Sequence, residues 1–510
     1  MSDNASIKEE DDQLKDPSKL YYQSNGVRWS IIASYWLVIF LALPLWWKTT
    51  SIERLSLPQS QMDAQSERML RLSVALRSSE ARVREALDRP AFREQLADEG
   101  VDVHVASGEK FDYEIALGNH QETYVEGRSL SFPEYVSDDE ILDVLKSLLV
   151  PHAVNRQHEQ HVVPFASRYQ LSFSLLNEDA ADGDSMLSWP IRDAIQRHLT
   201  PTVNDLANLY NFTFESQVQF HAPLAFEPEP ISVHDDDESA ADVEPSNDDM
   251  AGITSEQLTV FVNSAEWSLS SSVSNDPVLH FLLFVPKRPL HILTEAGELS
   301  SSRAFLIPQW GGVVLADTQD LTTDPARQVN AAFATFRAQL VTLLGVPQLP
   351  PNVTARVPPG HITPWQADAL LRRRARESAQ EARDTLRSIS RLVNQIENMP
   401  VGARVRDDVQ GALHALELAY SSASASMLAA FQHAAHATVL ASRAFFSPGM
   451  LQLLYFPPEH IYAVYMPLFA SALIPLAATA ARELRAWRKG VKAAAQVAAA
   501  QVAAAHVAAA

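Results

Sequence analysis

The sequence predicts an α/β domain followed by a small helical bundle, held between one N-terminal and one C-terminal transmembrane helix. Three observations predict this fold class. Two uncharged apolar stretches lie near the ends of the 510-residue chain, short segments between them alternate apolar and polar residues, and residues from 363 onward have strong helical periodicity. Strands that alternate with helices are typical of an α/β fold.

The first apolar stretch is 29–47, WSIIASYWLVIFLALPLWW, which follows a tail formed by residues 1–28. At ~1.5 Å per residue its length as a helix approaches the ~30 Å of a bilayer's hydrocarbon core. The stretch ends with Trp46 and Trp47, and Lys48 follows it. Amphipathic rings and cations at the end of a span favour the level of the lipid headgroups. The alternative is a cleaved signal peptide, but the stretch is long for one and lacks a small-residue cleavage site. We predict an uncleaved signal anchor, with these three residues as membrane-interface anchors.

The second apolar stretch is 461–481, in which Pro467 and Pro475 predict a kinked helix. The alternative, a buried core helix, is weakened by the basic residues that follow at 482, 485, 488, 489 and 492. By the positive-inside rule these residues place the alanine-rich tail 482–510 in the cytosol. Two spans require both tails on one side of the membrane. The intervening residues are therefore predicted to lie in the lumen of the secretory pathway.

Between the spans, composition and periodicity indicate three regions. Residues 48–100, rich in Arg, Glu, Ala and Leu, are predicted to form a helical stalk. Residues 101–362 are predicted to form the α/β domain, because apolar residues alternate at 101–105 and 169–175 and helical spacing appears at 140–149 and 190–209. Further strands are predicted at 212–220, 258–269, 278–285 and 290–294. A turn is predicted at 308–312, PQWGG, between two apolar strands within 303–316.

An acidic insert interrupts the α/β domain at 227–249, where ten acidic residues occur without any Lys or Arg. Such a segment cannot bury enough apolar surface to offset its ordering entropy, so we predict a disordered loop. The alternative, a calcium site at 235–238, lacks the ligand spacing of an EF-hand.

The region 363–447 is predicted to be a helical bundle. Thr363 is a suitable N-cap, with Pro364 at the first helical position. Apolar stripes mark a helix before the break at 400–402 and a second helix after it, and an alanine-rich third helix follows at 421–446. Internal packing of these helices is favoured over a coiled-coil surface for a partner.

The composition excludes several functions. A net charge of −21 argues against a nucleic-acid partner, and the absence of cysteine excludes a thiol nucleophile and disulfides. No G-x-S-x-G, P-loop or G-x-G-x-x-G motif occurs. The histidine-rich segment 152–161 lacks the H-E-x-x-H spacing of a zinc site, and the histidines at 433 and 436 are better explained as helix surface. We therefore assign no catalytic, cofactor-binding or metal-binding residue, while catalysis by carboxylates stays open.

Two sequons fit the luminal topology. Asn211-Phe212-Thr213 and Asn352-Val353-Thr354 both lie in the part of the chain predicted to face the lumen. Asn211 and Asn352 are therefore candidate N-glycosylation sites. A third sequon at Asn4 falls in the predicted cytosolic tail, where it would stay unmodified.

Several stretches resemble one family. The sequence LPLWWKTT at 43–50 is similar to the luminal end of the first span in PIG-S proteins, subunits of the glycosylphosphatidylinositol (GPI) transamidase of the endoplasmic reticulum. The turn at 310–312, residues 206–212 with 217–218, and residues 445–448 leading into 453–457 and 463–467 also resemble that family. The likeness covers roughly residues 28–480.

The resemblance implies a function that the residues alone do not give. It implies a non-catalytic subunit, without cofactors, of a hetero-oligomeric membrane complex that removes a C-terminal signal from a protein and attaches a GPI anchor. It implies as partners a cysteine-protease-like catalytic subunit, which carries the nucleophilic cysteine, and polytopic membrane subunits. Two alternatives remain: a membrane-anchored luminal enzyme that uses carboxylates, such as a glycosidase, and an unrelated luminal adaptor or chaperone.

Overall fold

A computed structural model of the chain describes residues 25–50, 54–106, 108, 110–150, 162–182, 186–231, 250–269, 274–317, 324–396, 399–451 and 458–508. These residues fall into two compact units. The first unit takes its residues from 1–59, 388–409 and 443–510, and the second from 60–387 and 410–442. The histidine-rich segment 152–161 and most of the acidic insert, 232–249, lie outside the described residues.

The chain begins with helix α1, Asn25–Thr50, and a short helix α2, Gln59–Ser66, follows. The first sheet then starts at strand β1, Leu72–Ser78. The prediction of a helical stalk over 48–100 is wrong here. Leu72, Val74 and Leu76 are buried on one face of β1 and alternate with partly exposed residues, which is the pattern of a strand.

The first sheet has six described strands in the order β14 (Val353–Ala355), β4 (Thr123–Glu126), β5 (Ser129–Pro133), β3 (Tyr113–Gly118), β1 and β2 (Val101–Val105). Strand β1 lies parallel to its neighbours on both sides, with Leu72 opposite Val101 and Leu76 opposite Tyr113. Only β4 among them is antiparallel to its partner β5. The elements from β1 to the helix that follows β5 are α3 Ala81–Leu87, α4 Pro90–Asp98, β2 Val101–Val105, β3 Tyr113–Gly118, β4 Thr123–Glu126, β5 Ser129–Pro133 and α5 Asp138–Leu149.

The second sheet has five described strands in the order β12-β13-β10-β6-β7. Its strands β6 and β10 are buried along most of their length, as expected for parallel strands covered on both faces. The intervening elements are β6 Arg168–Asn177, α6 Ile191–Ala194, one π turn Ile195–Leu199, α7 Thr200–Asp205, β7 Asn211–Gln219, β8 Glu229–Pro230, β9 Ala251–Ile253, α8 Ser255–Thr259, β10 Val278–Val285, β11 Leu290–Ile292, β12 Ala304–Ile307, β13 Gly311–Leu315, α9 Pro325–Leu343 and β14 Val353–Ala355.

Two details of this region differ from the predictions. The strand predicted at 258–269 is wrong, because α8 occupies Ser255–Thr259 and turns follow it. Thr254 caps α8 with a reciprocal capping box to Gln257, which favours the helix. The beginning of the acidic insert also forms regular structure, contrary to the prediction of a disordered loop. Glu229–Pro230, strand β8, pairs with β9 in a small three-stranded sheet, β11-β9-β8.

The turn predicted at 308–312 is confirmed for 308–310, which connect β12 and β13. Gly311 and Gly312 are instead the first two residues of β13, and both are glycine for a steric reason. A Cβ atom on Gly311 would lie 1.9 Å from the carbonyl oxygen of His280, and one on Gly312 would lie 2.0 Å from Oε1 of Gln339. Gln339 of α9 is held in place because its Nε2 donates to the carbonyl oxygens of Phe305 and Val313. Only glycine lets β13 approach both β10 and α9 this closely.

Helices dominate the rest of the chain. Thr363 caps the first of them, as predicted, because its Oγ1 accepts a hydrogen bond from the backbone N–H of Gln366. Within the second unit, Thr438 donates a hydrogen bond to the carbonyl oxygen of Ser378, so the third of these helices packs against the first. The helices are α10 Pro364–Gln395, α11 Ala403–Ser422, α12 Met427–Phe445, α13 Pro448–Leu451 and α14 Pro458–Ala508.

Helix α14 contains the segment Ala463–Gln501, which is long and apolar enough to cross a membrane. In α1, a shorter apolar segment covers Trp29–Leu45. Both helices belong to the first unit. Trp29 and Ile32 of α1 line an apolar cavity of 350 Å³ together with Ala480 and Leu484 of α14.

Candidate functional site

A polar cavity of 670 Å³ lies beside the first sheet, within the second unit. Its floor comes from Ser73–Ala75 of β1 and from Tyr113 at the start of β3. Helix α10 contributes Asp368 and Arg372, and the turn 423–426 together with Met427 and Leu428 at the start of α12 forms the rim. These parts are distant in sequence and are brought together by parallel pairing of β1 with β3 and by the packing of α10.

Tyr113 is the centre of the cavity's hydrogen-bond network. Its ring is 1% exposed and stacks on Trp365 at a centroid distance of 3.9 Å. Its hydroxyl donates to Oδ2 of Asp368 at 2.7 Å and accepts from Nη1 of Arg372 at 3.2 Å. Burial raises the pKa of the Tyr113 hydroxyl, and the Asp368 carboxylate adds to the rise while Arg372 opposes it. Tyr113 therefore stays neutral at physiological pH and links a carboxylate to a guanidinium.

The two arginines of the cavity differ in their partners. Arg128 is about half exposed and its Nη2 lies 2.9 Å from Oδ2 of Asp368, which forms an ion pair. Arg372 is only 2% exposed, and its Nη2 donates to the carbonyl oxygen of Leu149 at 3.4 Å. The Nε of Arg372 has no hydrogen-bond partner within the described part of the chain. A buried donor left in this way costs about 1–3 kcal/mol unless a water or a ligand accepts from it.

The cavity is also lined by a serine of β1 and a histidine of the neighbouring strand β2. Oγ of Ser73 lies 3.1 Å from Nδ1 of His104, a distance that allows a hydrogen bond. The nearby carboxylate of Asp112 accepts a hydrogen bond from the backbone N–H of Ala75 at 2.8 Å instead of contacting His104. A nucleophilic serine requires a histidine that a third group orients, and no described residue forms that bond to His104. The geometry fits binding better than nucleophilic catalysis.

No sequence motif predicted this cavity. Tyr113 and Asp368 are 255 positions apart, so no local spacing connects them. One signal was available: Trp365, Asp368 and Arg372 follow at helical spacing on the buried stripe of α10, where charged residues are unusual. Among the described residues, no group of three or more His, Asp or Glu side chains is arranged to hold a metal ion.

The residues singled out from the sequence lie elsewhere. Asn211 is the first residue of β7 and Asn352 immediately precedes β14, and both are exposed. Trp46, Trp47 and Lys48 lie in the last turns of α1, and Lys48 is exposed. The structure therefore brings none of these five residues to the cavity.

Comparison with known proteins supplies the family. The family model described as "Phosphatidylinositol-glycan biosynthesis class S protein" matches residues 33–126 and 121–490. The chain belongs to the PIG-S family. The resemblance inferred from the stretch 43–50 is thereby confirmed, and the match includes both sheets, the polar cavity and helices α10–α12. The alanine-rich residues from 491 onward lie beyond the matched region of the PIG-S family.

Individual relatives agree with the family. The chain is 27% identical to "GPI-anchor transamidase component PIGS" of Mus musculus, over 89% of this chain and 94% of the relative. It is 27% identical to "GPI transamidase component PIG-S homolog" of Schizosaccharomyces pombe, over 92% and 85% respectively. It is 22% identical to "GPI transamidase component GPI17" of Saccharomyces cerevisiae, over 85% of this chain and 87% of the relative. PIG-S relatives thus match this chain over nearly its whole length in animals and in fungi.

Proposed function

We propose that this chain is a non-catalytic subunit of the GPI transamidase of the endoplasmic reticulum. The match to the PIG-S family over most of the chain carries the proposal, because relatives with that match are named transamidase components. A component of a transamidase implies an assembly of several subunits. The partners we propose are a cysteine-protease-like catalytic subunit and polytopic membrane subunits.

The side chains of the cavity support a non-catalytic role. Its two carboxylates already have partners, since Asp368 pairs with Arg128 and accepts from Tyr113, and Asp112 accepts from a backbone N–H. A carboxylate whose oxygens are already held by such partners is poorly placed to exchange a proton with a substrate. This arrangement does not favour the alternative of a carboxylate-dependent glycosidase. The absence of cysteine from the chain agrees with a nucleophile supplied by another subunit.

We propose a two-pass topology with both termini in the cytosol. Trp29, near the start of α1, and Ala480, near the end of the apolar part of α14, line the same cavity. The start of α1 and the end of the apolar part of α14 therefore lie side by side, as expected if both tails are on one side of the membrane. Under this proposal Trp46, Trp47 and Lys48 set the depth of the first span at the luminal interface.

Contacts within the first unit connect the segment after α1 and the segment before α14 to the same stretch of the chain. After α1, Nη2 of Arg54 donates to the carbonyl oxygen of Val393 at 2.8 Å. The backbone N–H of Leu55 donates to the carbonyl oxygen of Val401 at 2.9 Å. Before α14, Nε and Nη2 of Arg443 donate bidentate hydrogen bonds to the carboxylate of Asp408. Arg54, Leu55 and Arg443 of the first unit thus all contact the stretch 393–408.

Depletion and replacement in cells test the proposed function. Loss of the chain should reduce GPI-anchored proteins at the cell surface and raise their uncleaved precursors, and re-expression of the full chain should restore both. Unrelated single-pass surface proteins serve as the control and should be unchanged. Unchanged levels of GPI-anchored proteins and of their precursors after complete depletion would contradict the proposal.

Topology and glycosylation have separate tests. Tags at either terminus should be digested by protease added to sealed microsomes, whereas the body between the spans should be protected. Asn211→Gln and Asn352→Gln should each remove one glycan-dependent shift in electrophoretic mobility, and Asn4→Gln, the matched control, should remove none. Protection of either terminal tag would contradict the two-pass topology.

A further inference from the structure

The charges of the polar cavity beside the first sheet are unbalanced. Its charged lining consists of Lys110, Arg128 and Arg372 against Asp112 and Asp368, a net charge of +1 when His104 is neutral. This excess occurs in a chain whose net charge is −21. Asp368 is already paired with Arg128, and neither Lys110 nor Arg372 forms an ion pair with a described residue. Of these two cations only Arg372 is buried, whereas Lys110 is exposed to solvent.

Arg372 is therefore a buried cation whose described partners are neutral. They are the Tyr113 hydroxyl and the Leu149 carbonyl oxygen, and its Nε–H lacks any acceptor in the described part of the structure. Buried charges normally have a counter-charge, since desolvation of an unpaired one costs several kcal/mol. Arginine is also the side chain best shaped to bind planar or tetrahedral oxyanions through several N–H groups.

The remaining lining limits the occupant. The volume of 670 Å³ leaves space around a single oxyanion, so a larger molecule is required to fill it. Asn208, Ser424 and Ser426 are exposed at the rim, and their amide and hydroxyl groups can donate to and accept from hydroxyls. Lys110 is exposed at the same cavity and forms no ion pair with a described residue, so it can contact an anion that enters.

We propose that this cavity binds a phosphate ester of a sugar or another polyol. The phosphate contacts Arg372, with Arg128 and Lys110 closer to the entrance, and the hydroxyls of the ligand face Asn208 and Ser424. This inference goes beyond the proposed subunit role and does not depend on it. The ligand can be soluble or can be the headgroup of a lipid, since both present the same phosphate and hydroxyl chemistry.

Binding to the purified full chain in detergent tests the proposal, by calorimetry with four probes. Mannose 6-phosphate represents a soluble ligand, and phosphatidylinositol in mixed micelles represents a lipid headgroup, with mannose and phosphatidylcholine as their respective controls. Saturable binding of at least one phosphate–polyol probe, at least tenfold tighter than its control, is expected. Equal binding of probe and control for both pairs, or no binding of either probe, would overturn the proposal.

Variants locate the binding. Lys110→Gln and Arg128→Gln should each weaken binding about tenfold, the effect of losing one charge-assisted hydrogen bond of ~1.4 kcal/mol. Arg372→Gln should abolish it, and its circular dichroism and thermal transition are compared with wild type to verify folding. Arg303→Gln is the matched control, because Arg303 forms a similar ion pair with Asp317 at 2.7 Å and does not line the cavity. Unchanged affinity in Lys110→Gln and Arg128→Gln would overturn the proposal even if Arg372→Gln failed to fold.

Discussion

The two large sheets of the second unit are covered by side chains of different chemistry. On the second sheet, the rings of Phe173, Phe281, Phe333 and Phe336 are all fully buried, with ring centroids 5.3–5.9 Å apart in the contacts of Phe173. On the first sheet, α10 instead brings charged side chains to Tyr113 and leaves a polar cavity. Burial of aromatic area stabilises a fold, whereas buried charges cost free energy. The difference indicates that the second sheet supports the fold and that the first also presents a surface for binding.

The largest expected effect is in the aromatic core of the second sheet. Phe173→Ala removes a fully buried ring that contacts four others, among them Phe214 at 6.4 Å, so it should lower the free energy of unfolding by about 3–5 kcal/mol. Thermal unfolding of the full chain in detergent measures the loss. Phe214→Ala is the matched control, because that ring on the edge strand β7 is 41% exposed and should cost much less. Equal losses would contradict the assignment of this core.

A smaller effect is expected at Gly312, in strand β13 of the same sheet. Gly312→Ala places a methyl group against Oε1 of Gln339, which two hydrogen bonds hold in position. Such overpacking should cost about 1–3 kcal/mol in the same unfolding measurement. Gly402→Ala is the control, since a Cβ there meets no atom within 4 Å. A neutral effect of Gly312→Ala would show that Gln339 is free to move away.

The hydroxyl of Tyr113 is expected to contribute a similar or smaller amount. Tyr113→Phe leaves Nη1 of Arg372 and Oδ2 of Asp368 each without one partner, at a cost of about 1–2 kcal/mol near pH 7.

The pH dependence of stability separates this hydroxyl from the packing of its ring. Because burial raises the pKa of Tyr113, its contribution is fully present below the unfolded pKa of about 10 and is lost as pH rises toward the folded value. The slope it adds approaches ~1.4 kcal/mol per pH unit. Tyr169, whose pKa is raised to about 12, still makes stability depend on pH in the variant. Tyr113→Phe should therefore lose less stability than wild type between pH 10 and 11, and an identical slope would contradict a neutral buried hydroxyl.

The smallest expected effect is at a surface ion pair of the second sheet. Arg303→Gln breaks the ion pair with Asp317, whose two side chains are each about one-third exposed to solvent. The loss should be below about 1 kcal/mol and should shrink further at high salt, because surface pairs are screened. A salt-independent loss of several kcal/mol would mean that this pair belongs to a buried network.

The sequence predicted much of the fold through periodicity, and its errors have physical causes. The strands at 168–177 and 278–285 and the helix at 138–149 were found because their apolar patterns are long and regular. Strand β1 was missed because helix-forming residues surround it, although Leu72, Val74 and Leu76 alternate. The strand predicted at 258–269 does not form, because the capping box of Thr254 and Gln257 starts a helix at Ser255 that includes the beginning of this short apolar run.

The cavity could not be predicted, because its geometry depends on tertiary packing. Tyr113, Arg128 and Asp368 come from separate parts of the chain, and nothing in their spacing indicates an encounter. Only the charged positions on the buried stripe of α10 pointed to a polar site. The family, by contrast, was accessible from the sequence because the stretch 43–50 is specific, and it was confirmed by the match over both sheets.

The central claim is that the chain acts as one subunit of a membrane assembly rather than alone. Native purification of the tagged full chain from endoplasmic reticulum membranes in mild detergent, followed by mass spectrometry, tests it most directly. We expect a cysteine-protease-like protein and polytopic membrane proteins in constant proportion to the chain, with transamidase activity in the same fraction. Recovery of the chain as a single species with hydrolytic activity of its own would contradict the claim.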